Sequence, residues 1–294
     1  LSNFSVPFAV ALAWIRGLSP ATRALVAQSE AGIDAHDAAS LKSAIIAVEP
    51  LFHFSPGEID KAYSMACAEF ERHMKNGVDI VTIFDENYPR LLKDISDPPL
   101  LLYYSGNIAA LNSAPAVAVV GTREPTEYGA EMAFAAGEVL ARSGVTVVSG
   151  LARGCDTSAH KGSISARGKT VAFVAHGLQT VYPPENAELA FEIAETGGCI
   201  ATEYPLGTKM HPSFFKRRNR LQTGTSLATL VIESDLKSGT MYTAGFARQQ
   251  ERKLFVLNHP KEKHSPSSEG NLRLLSEGYA IAVSEDEVLS GGAK

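Results

Sequence analysis

Residues 116–129 read AVAVVGTREPTEYG, and this stretch decides the fold. Ala116–Val120 is an unbroken apolar run, Gly121 ends it, and from Glu127 the apolar spacing becomes helical. A strand that is apolar at every position has no face for water, so both faces must be covered. Parallel sheets with helices on each side satisfy that requirement. The pattern recurs downstream, with strands expected at Val117–Val120, Val145–Val148, Thr170–Ala175, Cys199–Thr202, Thr229–Glu233 and Leu254–Leu257. Helices are expected to begin near Glu127, Asp156, Glu185, Pro212 and Ser238, and a shorter unit, Asn271–Glu277 with Ala280–Val283, closes the series. The expected class is α/β with a parallel sheet over residues 116–294. Ligands of such sheets sit outside the carboxyl ends of the strands, where strand order reverses.

Upstream the character differs. Residues 1–75 read as a small helical domain, with helical spacing in Val10–Leu18, Leu41–Leu51 and Ile59–Met74. Ser19-Pro20, Gly32 and Ser55-Pro56-Gly57 break it. The turn at 17–22 fits either a packing module or a contact to nucleic-acid backbone. Residues 76–115 form a connector, in which Asp97-Pro98-Pro99 forces extended backbone.

The 294 residues carry 27 Lys+Arg against 32 Asp+Glu, a net charge of −5, so any attraction to nucleic acid must come from a local patch. Cys67, Cys155 and Cys199 are too scattered for a disulfide scaffold or a local zinc site, and fit a reducing, cytoplasmic setting. No apolar stretch is long enough to span a membrane. The apolar segment at 4–15 lacks a preceding basic region, and Arg16 stands where a signal cleavage site belongs.

The strand-end loops carry the chemistry. The first, Gly121-Thr122-Arg123, is not a dinucleotide fingerprint, but it sets a glycine, a hydroxyl and a guanidinium before a helix N-terminus, a favourable place for an anion. A surface arginine on a turn explains Arg123 equally well. The second loop, 149–154, brackets Arg153 with Gly150 and Gly154 and is not a Walker A loop. Asp156 and His160 lie one helical turn apart. Without a third ligand they read as a capping Asp beside a hydrogen-bonded His, and no metal site is expected. The last loop, Ser238-Gly239-Thr240, is another anion-receptive turn.

The strongest feature is His211-Pro212-Ser213-Phe214-Phe215-Lys216-Arg217-Arg218-Asn219-Arg220. Residues 204–232 contain five basic residues and no acid. Four cations within 216–220 cannot all be buried as ion pairs, so some must face solvent or a polyanion. Phe214 or Phe215 offers a stacking face for unpaired bases. Alternatively both rings belong to the core.

These residues resemble the DprA/Smf family of DNA-processing proteins of natural transformation. The match runs through Asp85-Glu86-Asn87-Tyr88-Pro89, Asp97-Pro98-Pro99-Leu100-Leu101, Gly121-Thr122-Arg123, Tyr128-Gly129 and Ser149-Gly150-Leu151-Ala152-Arg153-Gly154. It continues through Asp156-Thr157, His160, Gly177-Leu178, Tyr182-Pro183, Glu203-Tyr204-Pro205, Phe215 to Arg220, Ser238-Gly239-Thr240 and Thr243-Ala244. The resemblance implies an extended Rossmann-like domain behind a small helical domain similar to a sterile alpha motif. It also implies a homodimer that binds single-stranded DNA, protects it and helps load the RecA recombinase. By the matched motifs the DNA-contacting candidates are Arg123, Arg153, Lys216, Arg217, Arg218, Asn219 and Arg220, with Phe215, Gly121, Gly150, Gly154, Ser238, Gly239 and Thr240 around them. Two segments depart from the family pattern. Leu221-Gln222-Thr223-Gly224-Thr225-Ser226 follows Arg220 where Ile-Ile-Ala-Gly-Leu-Ser is usual, and Asn258-His259-Pro260 stands where Pro-Gly is usual.

The rival expectation is a nucleotide-sensing or phosphoribohydrolase-like Rossmann protein, for which Glu203 and Glu233 at strand ends are the available acids or bases. Since no complete nucleophile–base pair or phosphate-transfer loop is visible, no enzymatic activity, catalytic residue or cofactor is expected. A dimer surface is expected on Thr240–Gln250 and the neighbouring strand Leu254–Leu257.

Overall fold

A computed structural model of the chain describes residues 6–29 and 37–290. Gly32 and the first residues of the 4–15 segment lie outside them. The chain forms two compact units, residues 1–88 with 97–104, and residues 89–96 with 105–294. The connector at 76–115 is thus shared between them.

In the first unit, α1 (Val6–Trp14), α2 (Pro20–Gln28), α3 (Ala38–Val48) and α4 (Glu58–Lys75) are followed by β1 (Asp79–Thr82). β1 pairs antiparallel with β2 (Leu101–Gly106), Asp79 facing Tyr104 and Thr82 facing Leu101. α1 ends earlier than its apolar spacing suggests, because Gly17 turns the chain at a φ of 84°. Ser19 then caps α2, accepting from the Thr22 N–H at 2.9 Å. Arg23 donates to the Ile15 carbonyl at 2.8 Å, so that turn is held from within. α3 likewise stops at Val48, leaving Leu51 85% exposed rather than on a helical face. Glu69 is buried and bonded to the Trp14 indole (3.2 Å) and to the Tyr103 hydroxyl. Those donors meet the requirement that a buried carboxylate be paired.

In the second unit, α5 (Arg90–Lys93) and α6 (Ala110–Ser113) precede seven parallel strands: β3 (Ala116–Val120), β4 (Thr146–Ser149), β5 (Thr170–Phe173), β6 (Cys199–Thr202), β7 (Ala228–Val231), β8 (Lys253–Leu257) and β9 (Ile281–Val283). Their order is β6-β5-β4-β3-β7-β8-β9. The helices between them are α7 (Glu127–Arg142), α8 (Cys155–Ser165), α9 (Ala187–Glu195), α10 (Pro212–Gly224), α11 (Gly239–Gln249) and α12 (Glu269–Ser276), and α13 (Glu285–Ser290) follows β9. β4, β5, β6 and β7 are buried at every position, as strands covered on both faces must be, and the buried hydroxyls of Ser149 and Thr170 donate to the Val119 and Val147 carbonyls. One core cluster gathers Val119, Met132, Val147, Leu230 and Ile232, and another gathers Leu151, Val174, Leu189 and Ile193. The α/β class with a parallel sheet is therefore as the sequence implies.

Strand order reverses at β3, which pairs with β4 on one side and with β7 on the other. The loops after β3 and β7 consequently part at the carboxyl rim and open a crevice there. β8 is interior to the sheet, paired with both β7 and β9, so it has no free edge, and of Leu254–Leu257 only Phe255 is half-buried rather than buried. Among the described residues no helix is long and apolar enough to cross a membrane.

Candidate nucleic-acid interface

The rim is built on a buried glutamate. Glu233, at the end of β7, is fully buried and accepts from Thr126 twice, from its N–H (2.7 Å) and from its hydroxyl (2.9 Å). Its own carbonyl accepts from the Thr122 N–H at 2.7 Å. Thr126 in turn caps α7 through the Gly129 N–H at 3.1 Å. Glu233 therefore ties the β7 loop to the β3 loop across the crevice.

The second loop is organised by two groups of opposite charge. Asp156 is the second residue of α8, behind Gly154, and does not cap it as the sequence suggested. Its carboxylate turns back to accept from the N–H groups of Gly150 (3.1 Å) and Ala152 (3.3 Å). Arg218, reaching over from α10, is 4% exposed and donates to the Phe173 carbonyl. Burial pulls the Arg218 pKa down to about 10, against the pull of Asp156 and with the help of Arg123, so it stays charged at neutral pH. Burial raises the Asp156 carboxyl pKa, with Arg218 opposing. Behind them His160 shares a hydrogen bond with Thr170 Oγ1 (2.6 Å), and burial, with Arg218 adding, pushes its pKa down to about 3.

Above these groups lies a cavity of about 490 Å³. Gly121, Arg123, Phe215, Lys216, Arg218, Asn219, Ser238, Gly239 and Thr240 all line it, so nine of the candidate residues meet at the point where strand order reverses. Arg123 and Lys216 are exposed at its mouth. The Arg123 guanidinium sits 4.8 Å from the centre of the Phe215 ring, and the Lys216 ammonium 4.0 Å from that of Tyr242, both cation–π distances. The Ser238 hydroxyl shares a hydrogen bond with that of Ser234 (2.7 Å) and accepts none from the first turn of α11. Among the described residues the N–H groups of Gly239 and Thr240 have no acceptor, which leaves an anion-receptive helix start. Glu124, Asp156 and Asp235 line the same space, so the cavity is amphoteric rather than simply basic.

Other candidates go elsewhere. Arg153 and Gly150 line a small adjoining pocket with Arg123, Tyr182, Pro183 and Phe215, and Arg153 is ion-paired to Glu185 rather than to Asp156. Gly154, at a φ of 74°, lets α8 start against the Thr122 carbonyl, a structural task. Arg220 is buried against Glu203, and the exposed Arg217 approaches the same carboxylate at 3.8 Å. The basic run is therefore divided between the cavity and one carboxylate. The two phenylalanines also part ways, since Phe214 stacks on Tyr204 at 4.3 Å while Phe215 walls the cavity.

Sequence reasoning missed Gln222, Tyr242 and Tyr182 as lining residues. For Gln222 a signal exists: Phe215, Arg218, Asn219 and Gln222 share one face at helical spacing.

Residues 79–291 match the model of the family described as DNA recombination-mediator protein A. The DNA processing protein DprA of Bacillus subtilis is 32% identical over 231 residues, covering 79% of this chain and 77% of that protein. Protein Smf of Synechocystis is 38% identical over 223 residues, covering 75% of this chain and 55% of that longer protein. The X-ray structure of DprA from Streptococcus pneumoniae superposes with a TM-score of 0.75 at 26% identity, covering 99% of this chain and 98% of that one. DprA from Helicobacter pylori, whose structure concerns its single-stranded DNA binding mode, superposes with a TM-score of 0.63 at 31% identity, covering 70% of this chain and 90% of that one. The chain belongs to the DprA/Smf family of DNA recombination mediators.

Proposed function

We propose that this member of the DNA recombination-mediator family binds single-stranded DNA along the carboxyl rim of its parallel sheet, without cleaving it. One observation carries the reading: Phe215, with the Arg123 guanidinium over its ring, and Lys216 line one cavity, formed where strand order reverses. Aromatic faces beside cations hold unpaired strands by stacking and phosphate contact, a combination that duplex DNA cannot use fully. The carboxylates nearest to acid–base work are engaged, Glu233 with Thr126 and Glu203 with Arg220, which supports binding rather than catalysis. The bound strand is then handed to the RecA recombinase by a homodimer, whose two rims give the span and avidity one protomer lacks.

Gel shifts with single- and double-stranded oligonucleotides of equal length test the reading directly. Single strands are expected to bind clearly tighter, and equal affinities overturn it. In the Arg123→Ala, Lys216→Ala double variant the fold should be kept, with stability within about 0.5 kcal/mol, as for ordinary surface changes. Its DNA affinity should collapse, and the salt slope should shallow by about 0.7 per lost phosphate contact. Light scattering at micromolar concentration that shows only monomer removes the dimer. Release of base or phosphate from nucleoside monophosphates, lost in Glu203→Gln or Glu233→Gln, favours the phosphoribohydrolase-like alternative.

A further inference from the structure

The floor of the cavity holds a buried side-chain amide, that of Gln222. Gln222 on α10 is 2% exposed and lines the cavity one helical turn beyond Arg218. Among the described residues its amide has no hydrogen-bond partner, and neither its nitrogen nor its oxygen counts among the wholly enclosed orphan atoms, so the amide opens onto the cavity. Thr240, 5% exposed, stands in the same lining with its hydroxyl likewise unpaired. Buried polar groups are held to a partner in nearly every protein, so these two point to a ligand's polar atoms.

The chemistry of the floor differs from that of the mouth. Phosphate only accepts hydrogen bonds, and its donors are already in place above: Arg123, Lys216 and the first N–H groups of α11. Gln222 presents a donor and an acceptor side by side, and its carbonyl oxygen would face a phosphate unfavourably. A nucleobase edge offers the complementary pair, and Phe215 supplies the adjoining wall for the flat face of the same ring. We infer that the cavity takes one unpaired nucleobase, whose polar edge is read by the Gln222 amide. The protein thus has a base-dependent contact in addition to its phosphate contacts. This inference rests on the single-strand reading above.

Fluorescence anisotropy on the full chain tests it, using labelled dA, dC and dT homopolymers of about 20 nucleotides and an abasic strand of the same length. Comparing Gln222→Leu with the parent protein cancels the intrinsic stiffness of each strand. At least one homopolymer should weaken by about fivefold or more, the discrimination of a modest bidentate base contact. The abasic strand should change by less than about twofold. Gln222→Glu, of the same shape but without the amide donor, should change the order of preference among homopolymers and serves if the leucine variant fails to fold. Parallel changes on all four strands, or no change on any, overturn the base contact and leave single-strand binding standing. A parent protein that binds none of the strands overturns both.

Discussion

Gly150 and the Arg218 guanidinium occupy one volume, for a Cβ on Gly150 would lie 2.5 Å from Arg218 Cζ. The loop after β4 can close over α10 only because that position carries no side chain. Gly150→Ala should therefore push a buried charged group off the Phe173 carbonyl. The expected cost is about 1–3 kcal/mol, as for overpacking generally. Gly239→Ala is the control, because nothing lies within 4 Å of its Cβ position, and its melting temperature should barely move. Equal behaviour of the two variants in thermal melts would show that Arg218 is not wedged there.

That contact also marks where the sequence becomes hard to read. The strands and their rim loops were legible because an all-apolar run followed by Gly and a helix start has few other meanings. The fates of Lys216, Arg217, Arg218 and Arg220 were not. Successive helical residues point about 100° apart, so one basic run serves several surfaces. Which surface each cation meets depends on Glu203, Asp156 and Phe173, which stand well before it in the chain. Glu233 looked like an available acid, and its clamp on Thr126, 107 residues away, is likewise a tertiary fact.

Arg220 and Arg217 share Glu203, yet they should behave very differently. The Arg220 and Glu203 side chains are 4% and 9% exposed, whereas Arg217 is 64% exposed at 3.8 Å. Arg220→Ala leaves a carboxylate buried beside an empty space and should cost about 3–5 kcal/mol. Arg217→Ala should stay below about 1 kcal/mol, as exposed pairs do. Urea denaturation of both variants checks this, and similar midpoints would refute the division of the basic run.

His160 makes stability depend on pH. Its pKa falls from an ordinary value near 6.5 to about 3 on folding, chiefly through burial. Between those values the unfolded chain binds the proton and the native one does not, so the contribution is complete above pH 6.5 and is lost as pH falls. From pH 7 to pH 5 this single group should remove about 2 kcal/mol. His160→Gln retains a polar partner for Thr170 without titrating. Stability measured by urea denaturation at the two pH values should fall less in the variant, by about that amount. Equal losses would mean that His160 is not protected from protons in the native state.

Phe214 and Phe215 are adjacent, but only one should matter to DNA. Phe214 lies on Tyr204, with ring centres 4.3 Å apart and planes inclined by 21°, and contributes to the fold there. Phe215 is half-buried, with Arg123 over its ring at 4.8 Å and the Tyr182 ring 6.1 Å away, and unlike Phe214 it lines the cavity. Phe214→Ala should lower stability by about 1–2 kcal/mol through lost area and ring contact, with single-strand affinity nearly unchanged. Phe215→Ala should do the reverse, costing about 1–3 kcal/mol of single-strand binding and little stability. Its loss should be larger on single strands than on duplex, because a base in a duplex is already stacked on its neighbours. Anisotropy titrations on both oligonucleotides, paired with thermal melts of both variants, separate the two effects. If Phe214→Ala stays folded and loses as much binding as Phe215→Ala, the strand runs over Tyr204 and the basic side of Glu203 rather than through the cavity.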